Sequence, residues 1–432
     1  MKRLLLFTVI LSILFLNISY TFAQPPSIDA DTYILIDAES GSVLCERNSK
    51  VTRYPASMTK IMTAILAIEL GDPEQLMTAS QAAINDIGPN GSNIGIIVGE
   101  KIPLKNLLQA LLISSGNETA NIIAEHICDS RQEFIDLMNQ RAKELGAVDT
   151  NFTNTCGMHD PMHYSTASDI ARLARYAMTL PQFREIVSTP RFTMPATNKH
   201  PTWPELTNTN VLMVTDQSDL YKINGIKTGF TGPAGHNLAS SAINENGMEL
   251  IAVVMNVKDE GASGNVRKYS KELLDYGFNN FKKVTLLEDN KVYRNVKVEN
   301  ATDIYGLDLI TTGSLTCVLP KDETRRNIKE IPHINESISA PVNQGDIMGY
   351  VEFFKDNISI GKIDLIAGRT MEHMPEPETI KTLIEKALGN FFVRMGLYAA
   401  GVLLFFLILR ITLRTISRRI NSNRRSNRPH KM

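Results

Sequence analysis

Ser57 and Lys60 form a Ser-x-x-Lys pattern whose residue types could support nucleophilic chemistry. Side chains three positions apart lie on one face of a helix, so the hydroxyl and the amine can meet. A serine hydroxyl is a weak nucleophile that needs a base, and a lysine serves as one when burial or a nearby cation lowers its pKa. The pattern recurs at residues 359–362, but in a strand-like run, where positions i and i+3 point to opposite faces. We therefore expect the second copy to be structural.

The tripeptide Ser115-Gly116-Asn117 interrupts an apolar segment that has a helical pattern. Because glycine and asparagine both weaken a helix, the interruption predicts a loop between two helices. A hydroxyl and an amide in such a loop could relay a proton and hold a substrate amide. The same tripeptide recurs at residues 263–265, in a glycine-rich stretch that predicts an ordinary turn. We expect this second copy to be structural as well.

Lys227-Thr228-Gly229 supplies a lysine and a hydroxyl that could bind a carboxylate at the edge of a strand. Its glycine would allow another backbone to approach closely. On its own, this tripeptide is also compatible with a strand end that carries a solvated lysine. The three motifs in this chain order are a much stronger signal than any one of them, because each short pattern also arises by chance.

The surrounding segments predict helices packed on an antiparallel sheet. An alternating pattern over residues 32–47 predicts a β-hairpin. Helical patterns cover residues 58–70, 104–127, 131–145, 168–178 and 265–278, and strand patterns cover residues 237–242 and 249–257. From residue 281 onward, short strand patterns follow without a long helix between them, at 284–287, 292–298, 315–319, 347–354 and 358–366. We predict a motif-bearing domain over 24–280 and an all-β domain over 281–372.

The N-terminus indicates export. Lys2 and Arg3, an apolar run over 4–16 and small residues before Gln24 predict a signal peptide over 1–23. The alternative is an uncleaved anchor, although the apolar run is short for a spanning helix.

The C-terminus predicts a membrane anchor. Residues 373–393 combine a linker with an amphipathic helical stripe, and residues 395–409 contain no charge. That run is shorter than the ~20 residues needed to span a bilayer, unless the arginines on either side extend it by snorkelling. We predict a membrane helix over 394–413 and a basic cytoplasmic tail over 414–432, with the body on the outer side. The alternative is a helix that lies on the membrane surface with a basic face.

Composition narrows the function classes. The 432 residues are 43% hydrophobic and 21% charged, which excludes a disordered chain. With 45 Lys and Arg against 46 Asp and Glu, there is no global basic excess for nucleic-acid binding. Four scattered cysteines form no Cys-x-x-Cys pair, and no disulfide can be assigned from them. His159 and His163 have metal-like spacing without an acidic ligand set, so we interpret them as loop structure and predict neither metal nor cofactor.

Around its three motifs the sequence resembles the D-alanyl-D-alanine carboxypeptidases, the low-molecular-mass penicillin-binding proteins of bacterial cell walls. The resembling stretches are residues 55–60, 114–117, 157–161, 163–166, 225–229 and 235–238. The likeness extends over about residues 28–372. It implies an α+β fold with a β-lactamase/transpeptidase-like domain, in which helices flank an antiparallel sheet. A small all-β domain and a C-terminal membrane helix would follow.

By this resemblance, Ser57 is the nucleophile that attacks the carbonyl between two D-alanines of a muropeptide stem. Lys60 is the general base for acylation. Ser115 passes a proton toward the leaving amine, and Asn117 holds the substrate amide and Lys60. Water then hydrolyses the acyl-enzyme.

The same resemblance implies the substrate contacts. Four residues would bind the substrate around its terminal carboxylate: Lys227, Thr228, Gly229 and Arg267. The backbone N–H groups of Ser57 and Phe230 would form the oxyanion hole, in which a donor is worth on the order of 100- to 1,000-fold in rate. Some relatives have a histidine where this chain has Phe230, a difference that leaves the backbone N–H in place.

The implied function is a serine carboxypeptidase that trims peptidoglycan stem pentapeptides and is acylated by β-lactam antibiotics. The implied location is the cell membrane, with an extracytoplasmic body. A serine β-lactamase is one alternative, but class A deacylation uses a Glu with a conserved water, and residues 150–190 contain Glu185 without a Glu-x-x-x-Asn pattern. A non-catalytic wall-binding protein is another. A D,D-endopeptidase or a weak transpeptidase would use the same residues.

Overall fold

The computed structural model describes residues 25–88, 90–215, 218–258, 260–355, 357–375 and 379–426. The predicted signal peptide, part of the predicted linker and the end of the predicted tail lie outside these residues. The helices are α1 Lys60–Leu70, α2 Gln81–Asn85, α3 Leu104–Ile113, α4 Asn117–Ile127, α5 Arg131–Glu144, α6 Ala167–Ala177, α7 Pro181–Val187, α8 Leu212–Thr215, α9 Ala262–Asn280, α10 Ile380–Gly389 and α11 Phe391–Ser426. Short 3-10 helices cover Ala56–Thr59 and Arg325–Asn327.

The strands are β1 Thr32–Asp37, β2 Val43–Arg47, β3 Leu76–Thr78, β4 Lys101–Pro103, β5 Arg191–Phe192, β6 Leu206–Thr207, β7 Lys222–Thr231, β8 Gly235–Ile243, β9 Glu249–Val257, β10 Phe281–Leu287, β11 Val292–Val296, β12 Leu307–Thr311, β13 Leu315–Pro320, β14 Lys329–Ile334, β15 Ile347–Lys355 and β16 Ile358–Ala367.

A five-stranded antiparallel sheet with the order β2-β1-β9-β8-β7 carries the motif-bearing region. Because side chains alternate along a strand, β1 sends Ile34 and Ile36 to one face and Tyr33 and Leu35 to the other. The first face packs on a cluster that includes α1, α3, α4 and α6, and the second packs on α9. Helices therefore cover both faces, which confirms the predicted α+β architecture and the β1–β2 hairpin.

Both copies of the Ser-Gly-Asn tripeptide lie near the start of a helix. The first copy lies at the junction of α3 and α4, so the predicted loop between two helices is confirmed. The turn predicted for Ser263-Gly264-Asn265 is wrong, because these residues form the first turn of α9. Glycine and asparagine are tolerated there because the first four N–H groups of a helix have no intrahelical partner. The second Ser-x-x-Lys copy lies in β16, as predicted.

From Phe281 to Ala367 the described regular elements are seven strands and one three-residue 3-10 helix, which confirms the predicted all-β character. Strands β10 and β13 form a two-stranded sheet, and a second five-stranded sheet has the order β11-β12-β16-β15-β14. The sequence patterns missed β12 and β14. Strand β14 lies at the sheet edge, contains Pro332 and has no buried residue, so it lacks the alternation of a half-buried strand.

By their contacts, the residues form two compact units. One contains residues up to 293 together with 310–334 and 347–366, and the other contains 294–309, 335–346 and the residues from 367 onward. This division does not test the predicted border between the motif-bearing domain and the all-β domain at residue 280, which stays a prediction.

The C-terminal segment is helical, as its periodicity predicts. Helix α10 exposes the predicted apolar stripe, including Leu383 and Ile384. Residues 391–419 of α11 have a mean hydropathy of 2.2 over their most apolar window and are not buried in the protein. This helix is long and apolar enough to cross a membrane, and it contains the predicted anchor at 394–413.

Candidate active site

Ser57 lies in the 3-10 turn that leads into α1, and two glycines allow the turn to pack tightly. A Cβ on Gly157, whose φ is +90°, would lie 1.9 Å from the carbonyl oxygen of Ala56. A Cβ on Gly229 would lie 2.7 Å from the carbonyl oxygen of Pro55. Only glycine fits at either position, so the segment around Gly157 and the end of β7 are both held against the backbone of the serine turn.

Lys60 begins α1 and its side chain is fully buried. Its Nζ lies 3.0 Å from Oγ of Ser57, 2.7 Å from Oδ1 of Asn117 and 2.8 Å from the carbonyl oxygen of Cys156. Burial lowers the pKa of Lys60 to about 8, although electrostatic interactions with Cys156 and, less strongly, with Glu118 oppose this shift. A lysine with this pKa is unprotonated in roughly one molecule in ten at pH 7. It can therefore accept the proton of Ser57 near neutral pH.

Ser115 and Asn117 reach the same cleft from the junction of α3 and α4. Ser115 has a φ of +64°, an uncommon backbone conformation for a serine that is often found at functional sites. The side chain of Asn117 accepts from Lys60 and donates from Nδ2 to the carbonyl oxygen of Ile87, 3.0 Å away. Its backbone N–H donates to the carbonyl oxygen of Ser92 at 2.8 Å. Asn117 thus ties the lysine to the loop that forms one wall of the cleft.

Strand β7, at the edge of the first sheet, brings the Lys-Thr-Gly motif to this cleft. Lys227 is fully buried, and its Nζ donates to the carbonyl oxygen of Thr228 at 3.2 Å. Burial, with the charge of Lys60 as a second cause, lowers the pKa of Lys227 well below its usual value. The hydroxyl of Thr228 donates to Oγ1 of Thr209 at 2.7 Å.

These elements enclose one cleft of about 580 Å³. Seven of the nine predicted site residues line it: Ser57, Ser115, Asn117, Thr228, Gly229, Phe230 and Arg267. The other two, Lys60 and Lys227, are buried and are not among the residues that line it. The Phe230 ring is more than half exposed and stacks on His236 with 4.3 Å between the ring centres.

Several cleft residues were not predicted from the sequence. Thr209 lies beside Thr228, but its Asn-Thr-Asn setting has no chemical pattern to single it out. Cys156 contributes through its carbonyl oxygen, a backbone role that no side-chain motif indicates. Ser263 lines the cleft because its tripeptide lies at the start of α9, next to Arg267 on the same helix.

The two histidines with metal-like spacing occupy different surroundings. His163 is buried and lies 2.7 Å from Oγ1 of Thr59, and burial lowers its pKa to about 4, so it is neutral at pH 7. His159 lines the cleft and packs edge-on against Tyr54. Within the described ranges, no group of three or more His, Cys, Asp or Glu side chains could hold a metal ion.

The cysteines and the cleft residues bear on two questions that the sequence left open, a disulfide and a class A β-lactamase. The cysteines Cys45, Cys128, Cys156 and Cys317 are all free thiols, so none forms a disulfide. Glu185 is exposed on α7 and is not among the residues that line the cleft. In the part of the chain that is described, no Asp or Glu lines this cleft. A serine backed by a buried lysine, with a second serine and an amide, has the composition of an acyl-transfer site.

Comparison with known proteins agrees with an acyl-transfer site. Residues 19–259 match the family described as D-alanyl-D-alanine carboxypeptidase, and residues 281–373 match the C-terminal domain of penicillin-binding protein 5. The chain is 30% identical over 349 residues to D-alanyl-D-alanine carboxypeptidase DacF of Bacillus subtilis, covering 80% of this chain and 86% of that protein. It is 29% identical over 405 residues to DacD of Escherichia coli, covering 87% and 96%.

A solved structure shows the same architecture. Penicillin-binding protein 5 from Haemophilus influenzae matches with a TM-score of 0.67 at 28% identity, covering 81% of this chain and 100% of that one. The protein is therefore a serine-type peptidase. The chain belongs to the D-alanyl-D-alanine carboxypeptidase family.

Proposed function

We propose that this protein removes the terminal D-alanine from peptidoglycan stem pentapeptides through an acyl-enzyme on Ser57. The observation that carries the proposal is the 3.0 Å contact between Nζ of Lys60 and Oγ of Ser57, together with the lowered pKa of that lysine. A buried amine at this distance can act as the base that a serine nucleophile requires. The family membership supports the substrate class.

In the acylation step, Oγ of Ser57 attacks the carbonyl carbon between the two D-alanines and gives its proton to neutral Lys60. The backbone N–H groups of Ser57 and Phe230 stabilise the oxyanion. The C–N bond then breaks, and the leaving amine takes a proton from Lys60 by way of the Ser115 hydroxyl. Free D-alanine departs and an ester on Ser57 remains. Water, deprotonated by Lys60, hydrolyses that ester and restores the serine.

The terminal carboxylate of the substrate would bind between Thr228 on β7 and Arg267 on α9, which both line the cleft. A guanidinium and a hydroxyl suit a carboxylate well. Lys227 is fully buried, so we propose that it acts through Thr228, whose carbonyl oxygen it holds, and does not touch the substrate.

We further propose that penicillin forms a long-lived ester on Ser57. The intact drug would react as the substrate does, but the acylated product would stay in the cleft. Class A β-lactamases release it with a water activated by a Glu, and no described cleft residue is a carboxylate. This absence favours a carboxypeptidase over a β-lactamase.

We propose that the body lies outside the cell membrane, held there by α11. Support comes from the most apolar window of residues 391–419, which has a mean hydropathy of 2.2, and from the arginines toward the end of that range, including Arg414, Arg418 and Arg419. Basic residues flanking a span favour the cytoplasmic side. Protease added to intact spheroplasts should digest the body and spare a tag placed after residue 432. Digestion of the tag with survival of the body would reverse the proposed orientation.

The activity is tested by release of D-alanine from a stem pentapeptide by the full-length protein in vesicles. We expect release by the wild type and none by Ser57→Ala, because among the described hydrogen bonds of Nζ of Lys60 the only nucleophilic side-chain atom is Oγ of Ser57. A cross-linked dimeric muropeptide measured alongside separates carboxypeptidase from endopeptidase action. Equal release of D-alanine by Ser57→Ala would overturn the assignment.

A further inference from the structure

The loop between β11 and β12 presents two apolar side chains to solvent. Ile304 is 86% exposed, the highest value for any large apolar side chain in the described residues, and Tyr305 is 81% exposed. Single exposed apolar residues are common on soluble proteins. Among the other large apolar side chains in the described ranges, only Phe392 of α11 reaches 81% exposure.

Several polar contacts hold the conformation of this tip. The side chain of Asp303 accepts from the backbone N–H of Tyr305 at 2.8 Å, and it forms an ion pair with Arg369. Arg369 also donates to the carbonyl oxygen of Gly306. Gly306 has a φ of +78°, and a Cβ there would lie 2.4 Å from Oδ1 of Asn295. Binding by a fixed turn loses little conformational entropy, and the charge of Asp303 is already paired.

The same loop lies beside the chain that leads to the C-terminal helices. The backbone N–H of Thr302 donates to the carbonyl oxygen of Glu372 at 3.1 Å, and that of Met374 donates to the carbonyl oxygen of Asn300 at 2.6 Å. All of these residues belong to one compact unit. Helix α10 begins at Ile380, six residues after Met374, and six extended residues span at most about 20 Å. Met374, which is hydrogen-bonded to the base of this loop, therefore lies within about 20 Å of the start of the apolar helices.

We infer that Ile304 and Tyr305 dock into the lipid interface of the membrane that holds α11. This inference rests on the proposed membrane anchoring. A tyrosine and an aliphatic residue suit this layer, because tyrosine is enriched where one end of a side chain is apolar and the other is wet. The short tether keeps the tip at a high effective concentration near the lipid, so that a weak contact becomes populated. The contact would fix the height and tilt of the unit above the bilayer.

The test uses full-length protein in liposomes whose lipids carry bromine near the headgroup end of the acyl chains. Tyr305→Trp adds a reporter to a chain that has one native tryptophan, the buried Trp203, so the wild type supplies the baseline. We expect the added emission to shift to the blue and to be largely lost in brominated liposomes, but not in unbrominated ones. Adding Ile304→Asp to this variant should restore most of the emission.

A matched control is Val148→Trp, at a residue that is 67% exposed between α5 and α6. Its emission should be the same in both kinds of liposome, and equal quenching at both positions would overturn the inference. Flotation of the liposomes separates this inference from the anchoring proposal. Protein that does not float contradicts the anchoring. Protein that floats with an unquenched reporter refutes the tip contact alone, and a blue shift without bromine quenching would indicate a protein partner and refute the lipid contact.

Discussion

Gly157→Ala should disable the nucleophile although Gly157 has no functional group. The ideal Cβ would lie 1.9 Å from the carbonyl oxygen of Ala56 and 2.9 Å from the backbone nitrogen of Ser57. Real Cβ atoms essentially never approach closer than 3.0 Å, so the serine turn and the Gly157 segment must separate by about 1 Å. The residue's φ of +90° adds strain for any side chain, of the order of 1–3 kcal/mol.

We expect a displacement of this size to disturb the 3.0 Å contact between Oγ of Ser57 and Nζ of Lys60, because the Gly157 segment also holds Nζ through the carbonyl oxygen of Cys156. Misplacing reacting atoms by about 1 Å costs on the order of 100-fold in rate. We therefore expect the second-order rate of acylation by a fluorescent penicillin to fall by about that factor. The rate is measured by stopped flow, and circular dichroism establishes the folded fraction.

The matched control is Gly232→Ala. Gly232 lines the same cleft, but a Cβ there would meet no non-neighbouring atom within 4 Å, and its φ lies outside the left-handed region. We expect this variant to acylate within about twofold of the wild type, because Gly232 has neither the close packing nor the left-handed φ of Gly157. A folded Gly157→Ala protein that acylates as fast as Gly232→Ala would refute the reasoning.

Three further predictions concern charges in and around the cleft. Acylation by penicillin should fall about tenfold for each pH unit below 8 and level off above it, since Lys60 must be neutral to act and its pKa is about 8; a pH profile that is flat from 6 to 9 would contradict this. Glu118→Gln removes a charge that raises the pKa of Lys60, so the break in that profile should move to lower pH, and an unmoved break would exclude the influence. Arg267→Ala should raise the KM for a pentapeptide with a free carboxylate by about 10-fold or more, because a charged hydrogen bond of about 1.5–3 kcal/mol is lost. The KM for the same pentapeptide with a C-terminal amide should not change. Lys268→Ala, at the exposed neighbouring position, is its control, and equal losses on acid and amide would refute the carboxylate role.

The sequence was sufficient to locate most of the chemistry, because the three motifs depend on local spacing. Ser57 and Lys60 are three residues apart at a helix start, and Ser115 and Asn117 lie where glycine interrupts a helix. Helices and buried strands were predicted because their periodicities of 3.6 and 2 follow from backbone geometry. Strand β14 was missed because an exposed edge strand does not need an alternating pattern.

Tertiary relations were beyond the reach of these patterns. The burial of Lys227 depends on what packs against β7, and its motif alone was equally compatible with a solvated lysine. The contact between Thr209 and Thr228 joins residues 19 positions apart and has no local signature. Ser263 was assigned to a turn because glycine and asparagine favour turns, whereas the first turn of a helix tolerates them equally well.

The central claim is that Ser57 is the acylated residue, and peptide mapping by mass spectrometry after brief exposure to benzylpenicillin tests it most directly. The account predicts one penicilloyl group, on the peptide that contains Ser57, and none on the Ser57→Ala protein. Ser263→Ala, which changes another serine of the same cleft, should label like the wild type. An adduct on any other residue, or continued labelling of Ser57→Ala, would contradict the account.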